Sequence, residues 1–314
     1  MLGEFISRQR YAELLRRGHC QAEPWLRFDP DILKACYNRN PFLFEHALAT
    51  HPFFSLEALF ALCRRMGPKQ IHYRIGVIPG DSHFDSSYDC YRRDLALEDV
   101  LDNFEENRAY ICIYNPELDA AYKPQIEELL AEIAVQIDPL ETGITWYSTY
   151  VFISTQDSVT PYHMDREMNF LIQVRGGKTA YLWDPADEDI MTAAQKDLLL
   201  ARTGDRPPYA PSIESKAMTF ELRPGIGVHH PFIAPHRVHT GAELSITLAF
   251  TFRTARSDVW TDAHHLNAKM RRLGLRPGAV GRNALVDRTK AGLVRLGRNA
   301  RSALSGVGKE TPLR

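Results

Sequence analysis

The sequence predicts a mainly β protein with flanking α-helices, built as an antiparallel sandwich or barrel. Three observations lead there. Six short alternating segments lie between residues 144 and 253: ITWYSTYVFIST, NFLIQVR, KTAYLWD, AMTFELR, GVHHPFI and LSITLAFTF. Turn signals divide them at Arg175-Gly176-Gly177, Arg223-Pro224-Gly225 and Thr240-Gly241, a texture of β sandwiches and barrels. Helical periodicity dominates before about residue 70 and after residue 253.

Taken in order, the chain divides into residues 1–70, 71–253 and 254–314. In the first region Tyr11, Leu14 and Leu15 share a helical face, and the region reads as helical throughout. Asp29-Pro30-Asp31 marks a helix start, with Asp29 as N-cap and Pro30 in the first turn. Ser55 opens a further helix running to about Met66, with Glu57 in its first turn. From Ile71 the texture changes. HYRIGVI and AYICIY alternate as strands, with an acidic helix around Glu98 to Glu106 between them. Ile126, Leu129, Leu130, Ile133 and Ile137 have helical spacing, so Tyr122 to Ile137 is a second amphipathic helix. A helical insert from about Asp187 to Ala201 precedes a Gly/Pro-rich loop. Beyond Arg253, residues Asp258 to Leu273 and Leu285 to Leu304 read as helices.

Composition excludes several classes. The 314 residues are 44% hydrophobic and 25% charged, with 19 Gly and 19 Pro. Those fractions suit neither wholesale disorder nor a collagen-like repeat, and the length can bury a full core. A formal charge of −1 argues against a dedicated nucleic-acid binder, and no helix-turn-helix or zinc motif is visible. From Arg256 onward, however, basic residues outnumber acidic ones about three to one, which suits a solvated face or a partner surface. No apolar run reaches the roughly 20 residues that cross a bilayer. The start of the chain lacks the apolar centre of a signal peptide. Cys20, Cys36, Cys63, Cys90 and Cys112 form no CxxC pair, so a reduced, cytoplasmic protein is expected.

Chemistry concentrates in two segments. Thr160-Pro161-Tyr162-His163-Met164-Asp165 follows one strand, and Ala234-Pro235-His236-Arg237-Val238-His239 comes much later. Side chains alternate along extended chain, so His163 and Asp165 point to one side. An imidazole and a carboxylate there, with an imidazole from a distant strand, would form the facial triad that suits non-haem Fe(II). Such a site leaves positions open for a cosubstrate and O2. Lys178 offers a cation that could hold the far carboxylate of a keto-acid through a charge-assisted bond. Thr160 and Asn169 are suitable polar neighbours.

The run DSVTPYHMDREMNFLIQVRGGKTAYLWDP resembles the core of the jumonji-C and cupin-like Fe(II)/2-oxoglutarate oxygenases. Within them it is most similar to the asparaginyl hydroxylase that acts on hypoxia-inducible factor. The resemblance implies a double-stranded β-helix (jelly-roll, cupin-like) core. It implies His163 and Asp165 as iron ligands, Lys178 as the anchor of 2-oxoglutarate, and Thr160 and Asn169 as contacts to it. For the third ligand the resemblance implies His236, with His239 as its rival. Tyr150 or Tyr114 would donate a hydroxyl to the cosubstrate. Of His229 and His230, one could face the pocket, although packing accounts for both. Trp146, Tyr147, Tyr150 and Tyr162 read as core, and Arg166 and Glu167 either face the mouth or stand in solvent.

The expected activity is hydroxylation of a protein or peptide side chain, or of a small molecule, with release of succinate and CO2. The alternatives are a non-catalytic cupin-like sensor or scaffold, and a regulator acting through the basic tail. By analogy with related hydroxylases, the C-terminal helices could form a homodimer through Leu266, Met270 and Leu273.

Overall fold

The computed structural model describes residues 3–21, 23–80, 82, 84–91 and 95–304. Residues 305–314, assigned by sequence to the basic extension, lie outside these.

The first region contains β1 (Glu4–Phe5), α1 (Arg8–His19), β2 (Leu26–Arg27), α2 (Pro30–Cys36), β3 (Phe42–His46) and α3 (Leu56–Arg65). Its helices start where side chains can cap them. Ser7 accepts from the Arg10 amide, Asp29 from those of Asp31 and Ile32, and Ser55 from that of Ala58, satisfying donors with no intrahelical partner. The wholly helical reading of this region needs correction. Phe42, Phe44 and His46 are buried while Leu43 and Glu45 are exposed, the two-residue period of a strand. β3 accordingly joins the larger sheet.

Next come β4 (Ile71–Arg74), α4 (Phe84–Cys90), α5 (Leu97–Asp102), β5 (Tyr110–Tyr114) and α6 (Lys123–Ile137). The acidic helix is shorter than expected, its carboxy-terminal half being turn. Four strands follow: β6 (Ile144–Ser154), β7 (Val159–Met164), β8 (Met168–Arg175) and β9 (Lys178–Leu182). Helix α7 (Ala193–Ala201) starts later than expected because a capping box between Thr192 and Gln195 sets its first turn. The chain then forms β10 (Met218–Leu222), β11 (Ile226–His230), β12 (Pro235–Thr240) and β13 (Ser245–Thr254). It closes with α8 (Ala255–Arg272) and α9 (Ala284–Leu304).

Among the described residues the strands form two antiparallel sheets. The larger runs β2-β3-β11-β8-β13-β6-β5-β4, with β1 beside β6, and the smaller runs β10-β9-β12-β7. From β6 to β13 successive strands are shared between the two, so residues distant in sequence become cross-strand neighbours.

Strand alternation gives the larger sheet two different faces. Ile111, Ile113, Val151, Phe170, Ile172 and Phe250 point into the main core, with Leu14 of α1 and Ile126 and Leu130 of α6. The residues between them, including Tyr110, Tyr150, Asn169, Leu171 and Thr251, face a cavity whose other wall is the smaller sheet. One face is therefore apolar and structural, the other polar and aromatic.

Gly227 on β11 pairs with Phe44 on β3. A Cβ there would lie 2.3 Å from the Phe44 ring, which is buried. Gly227→Ala is expected to destabilise the protein by roughly 1–3 kcal/mol through overpacking. A denaturant melt checks this, and an unchanged midpoint would contradict the packing described.

At the carboxy-terminal end α9 packs along α8, where Arg295 and Arg298 meet Asp262. On α8 Leu266 and Met270 are half-buried, whereas Leu273 is 80% exposed. No helix among the described residues is long and apolar enough to cross a membrane.

Candidate active site

His163 lies on β7 and His236 on β12, and the two are direct cross-strand partners. This pairing joins the two chemical segments of the sequence. Asp165 stands just beyond the end of β7. The ligand-capable atoms of His163, Asp165 and His236 all lie within 4.8 Å of one another, and the two imidazole centroids are 4.1 Å apart.

The backbone dictates which ring nitrogen each histidine presents. Nδ1 of His163 is 2.8 Å from the Pro161 carbonyl, and Nδ1 of His236 is 3.0 Å from that of Ala234. A carbonyl only accepts, so both Nδ1 atoms carry a proton and Nε2 is the nitrogen each ring has left for a metal. The Nε2 of His236 is 4.0 Å from a carboxylate oxygen of Asp165. Fixing the tautomer through the remote nitrogen is how proteins orient metal-binding imidazoles. Burial, reinforced by nearby His236, holds His163 well below the usual histidine range and keeps it neutral. The donor set of two imidazoles and one carboxylate fits a divalent first-row ion with open positions.

His239 does not join this cluster. His236 and Val238 line the cavity, while Arg237 and His239 lie on the outer face against Tyr181. The two-residue period of β12 separates the rivals.

The remaining expected residues are arranged along the same cavity. Register sets their order: His236 is level with Leu182, Val238 with Ala180 and Thr160, and Thr240 with Lys178. The triad therefore stands at one end, Thr160 in the middle and Lys178 at the other. Lys178 is 4% exposed, faces the Phe152 ring and has no carboxylate partner among the described residues. Burial first, then the Arg74 charge, lowers it to about 7. Thr160 Oγ1 is 3.2 Å from the Tyr110 hydroxyl, so a tyrosine that the sequence did not single out sits beside it. Tyr114 and Tyr150 both line the cavity, as does Asn169, whose buried Oδ1 has no partner among the described residues.

The neighbouring charges divide. Glu167 faces the cavity, and burial, with the Asp165 charge, raises it. Arg166 turns away to the Leu199 carbonyl. Two lining residues carried no local signal. Phe84 of α4 stacks on His163 at 3.7 Å, and Arg206, from the Gly/Pro-rich loop, donates to the Met164 carbonyl at 3.0 Å. Both reach the site through tertiary contacts alone.

The chain matches no protein-family model and no curated protein. Among solved structures it is similar to three of one Escherichia coli protein. A crystal structure of the ribosomal oxygenase YcfD has 16% identity and a TM-score of 0.41, covering 87% of this chain and 67% of that one. An X-ray structure of ycfD has 16% identity and a TM-score of 0.45, covering 88% and 68%. A third, of YcfD as a ribosomal oxygenase, has 15% identity and a TM-score of 0.44, covering 92% and 69%.

Proposed function

We propose that the protein is an Fe(II)- and 2-oxoglutarate-dependent oxygenase, built on a double-stranded β-helix from β6 to β13. The strand orders β6-β13-β8-β11 and β7-β12-β9-β10 support that fold assignment. The observation that carries the functional reading is Lys178: a buried ammonium without a carboxylate, at the far end of the cavity that begins at the triad. A buried cation is costly unless paired. A dicarboxylate reaching from the metal to Lys178 would supply the missing charge.

In this reading His163, Asp165 and His236 hold the iron. Lys178 binds the distal carboxylate, and Thr160 and Asn169 give it hydrogen-bonding neighbours. Bound iron supplies the activation of O2 that couples decarboxylation of 2-oxoglutarate, to succinate and CO2, to hydroxylation of a C–H bond. The protein contributes orientation and exclusion of water. The aromatic walls of Tyr110, Tyr114, Tyr150 and Phe152 dry the cavity, and Phe84 covers the outer face of His163. The substrate class is a protein or peptide side chain, or a small molecule, and the setting is the reducing cytoplasm.

Incubating the full chain with Fe(II), ascorbate and 2-oxoglutarate should release succinate slowly without added substrate. Calorimetry under anaerobic conditions should show 2-oxoglutarate binding only when metal is present. Absence of metal-dependent 2-oxoglutarate binding would favour a non-catalytic scaffold instead.

A further inference from the structure

His229 and His230 are adjacent on β11, so their side chains take opposite faces of the larger sheet. His229 is a satisfied core residue. Its Nδ1 donates to the Asn169 carbonyl at 3.1 Å, its Nε2 accepts from the Asn38 amide at 3.2 Å, and its ring stacks on Tyr37. His230 faces the cavity and is 2% exposed, yet neither of its ring nitrogens has a hydrogen-bond partner among the described residues. A merely packed residue at this position would be better served by an apolar side chain, because a buried polar group without a partner is costly.

The surroundings narrow what would satisfy it. His230 is the direct register partner of Asn169, whose Oδ1 is also buried and without a partner among the described residues. The two do not bond to each other. Its ring stands edge-on to His236, with centroids 4.5 Å apart, which puts it at the triad end of the cavity. Lys178 is level with Thr240, four residues along β12, or roughly 13 Å of strand. An imidazole carries at least one ring N–H donor. A group with hydrogen-bond acceptors arriving at this end would satisfy that N–H.

We propose that His230 is a cosubstrate-binding residue that donates its ring N–H to the carboxylate of a 2-oxo acid at the metal-proximal end of the cavity. The assignment rests on the oxygenase reading above. It makes the cavity three-sided for an oxo-dicarboxylate: metal ligands at one end, Lys178 at the other, and a hydrogen-bonding wall of His230 and Asn169 on the larger sheet.

The test measures binding in the full chain under anaerobic conditions, so it does not depend on turnover. Titration of Fe(II)-loaded protein with 2-oxoglutarate should show His230→Phe binding roughly 10- to 100-fold more weakly than wild type, the scale of one charge-assisted hydrogen bond. Its affinity for Fe(II) alone should stay within about threefold, and its melting temperature should hold or rise because an unpartnered polar group has gone. His230→Gln, which keeps a donor and an acceptor, should recover part of the 2-oxoglutarate affinity and distinguishes a binding role from loss of folding. Wild-type affinity for 2-oxoglutarate in His230→Phe would overturn the assignment alone. So would a loss of Fe(II) affinity without 2-oxoglutarate, which would make His230 a support for His236. Wild-type protein that fails to bind 2-oxoglutarate would overturn the oxygenase reading, and this assignment with it.

Discussion

Asp165→Ala should weaken metal binding by roughly 100-fold or more, since even the outer partners of metal ligands are worth 10- to 100-fold. Succinate release should fall with it. Asp165 is the only carboxylate in the three-residue cluster. The two imidazoles remaining would offer a dication neither a carboxylate nor a third position. The side chain is 30% exposed and stands beyond the end of its strand, so its removal opens no core cavity. The melting temperature of the metal-free variant should match that of wild type within a degree or two. Metal titration followed spectroscopically, beside a thermal melt, checks both halves. Unchanged metal affinity with an unchanged melt would remove the triad from the argument. Glu167 is a second carboxylate lining the same cavity. Because it is buried and disposed toward its neutral form, Asp165→Ala/Glu167→Gln should bind metal no worse than Asp165→Ala.

Lys178→Met should abolish measurable 2-oxoglutarate binding while raising the stability of the ligand-free protein. The two effects share one cause. Burial lowers Lys178 from its ordinary value of 10.5 to about 7. Below pH 7 the lysine is charged in both folded and unfolded chains, and the folded protein bears the whole cost of burying that charge. Between about pH 7 and 10.5 the unfolded chain binds more protons than the folded one, so this lysine's contribution makes stability rise with pH. At pH 6 the methionine variant should therefore be more stable by a few kcal/mol, at most about 5, and the difference should shrink toward pH 10. Ligand binding follows the opposite logic. A dianion needs the ammonium, so above pH 7 binding takes up a proton and affinity should fall by up to about tenfold per pH unit. Calorimetry from pH 6 to 9 and denaturant melts at the same pH values would show both trends. Equal 2-oxoglutarate affinity in wild type and Lys178→Met would end the role assigned to this residue.

Much of the site could be read from short stretches of chain. The spacing of His163 and Asp165 and the place of Lys178 at the start of β9 depend on neighbours in sequence, as do the caps at Asp29 and Ser55. The alternation of β11 also guaranteed that one of His229 and His230 would face inward. The sequence left that possibility open beside packing, and the structure assigns it to His230. β3 was missed: FLFEH alternates, but it is a five-residue strand set among helices, and its stability comes from hydrogen bonds to β11 that no local window contains.

Local pattern, then, determined the long strands and helices, though not β3, and which chemical groups are available. That follows because propensity, capping and periodicity act within a few residues. The tertiary structure decided which groups meet. Cross-strand register set His236 opposite His163 and turned His239 outward, and the packing of α4 and the 203–210 loop brought Phe84 and Arg206 to the cavity. Register between strands distant in sequence is fixed by burying one whole face of each, a property of the assembled sheets and not of any single strand.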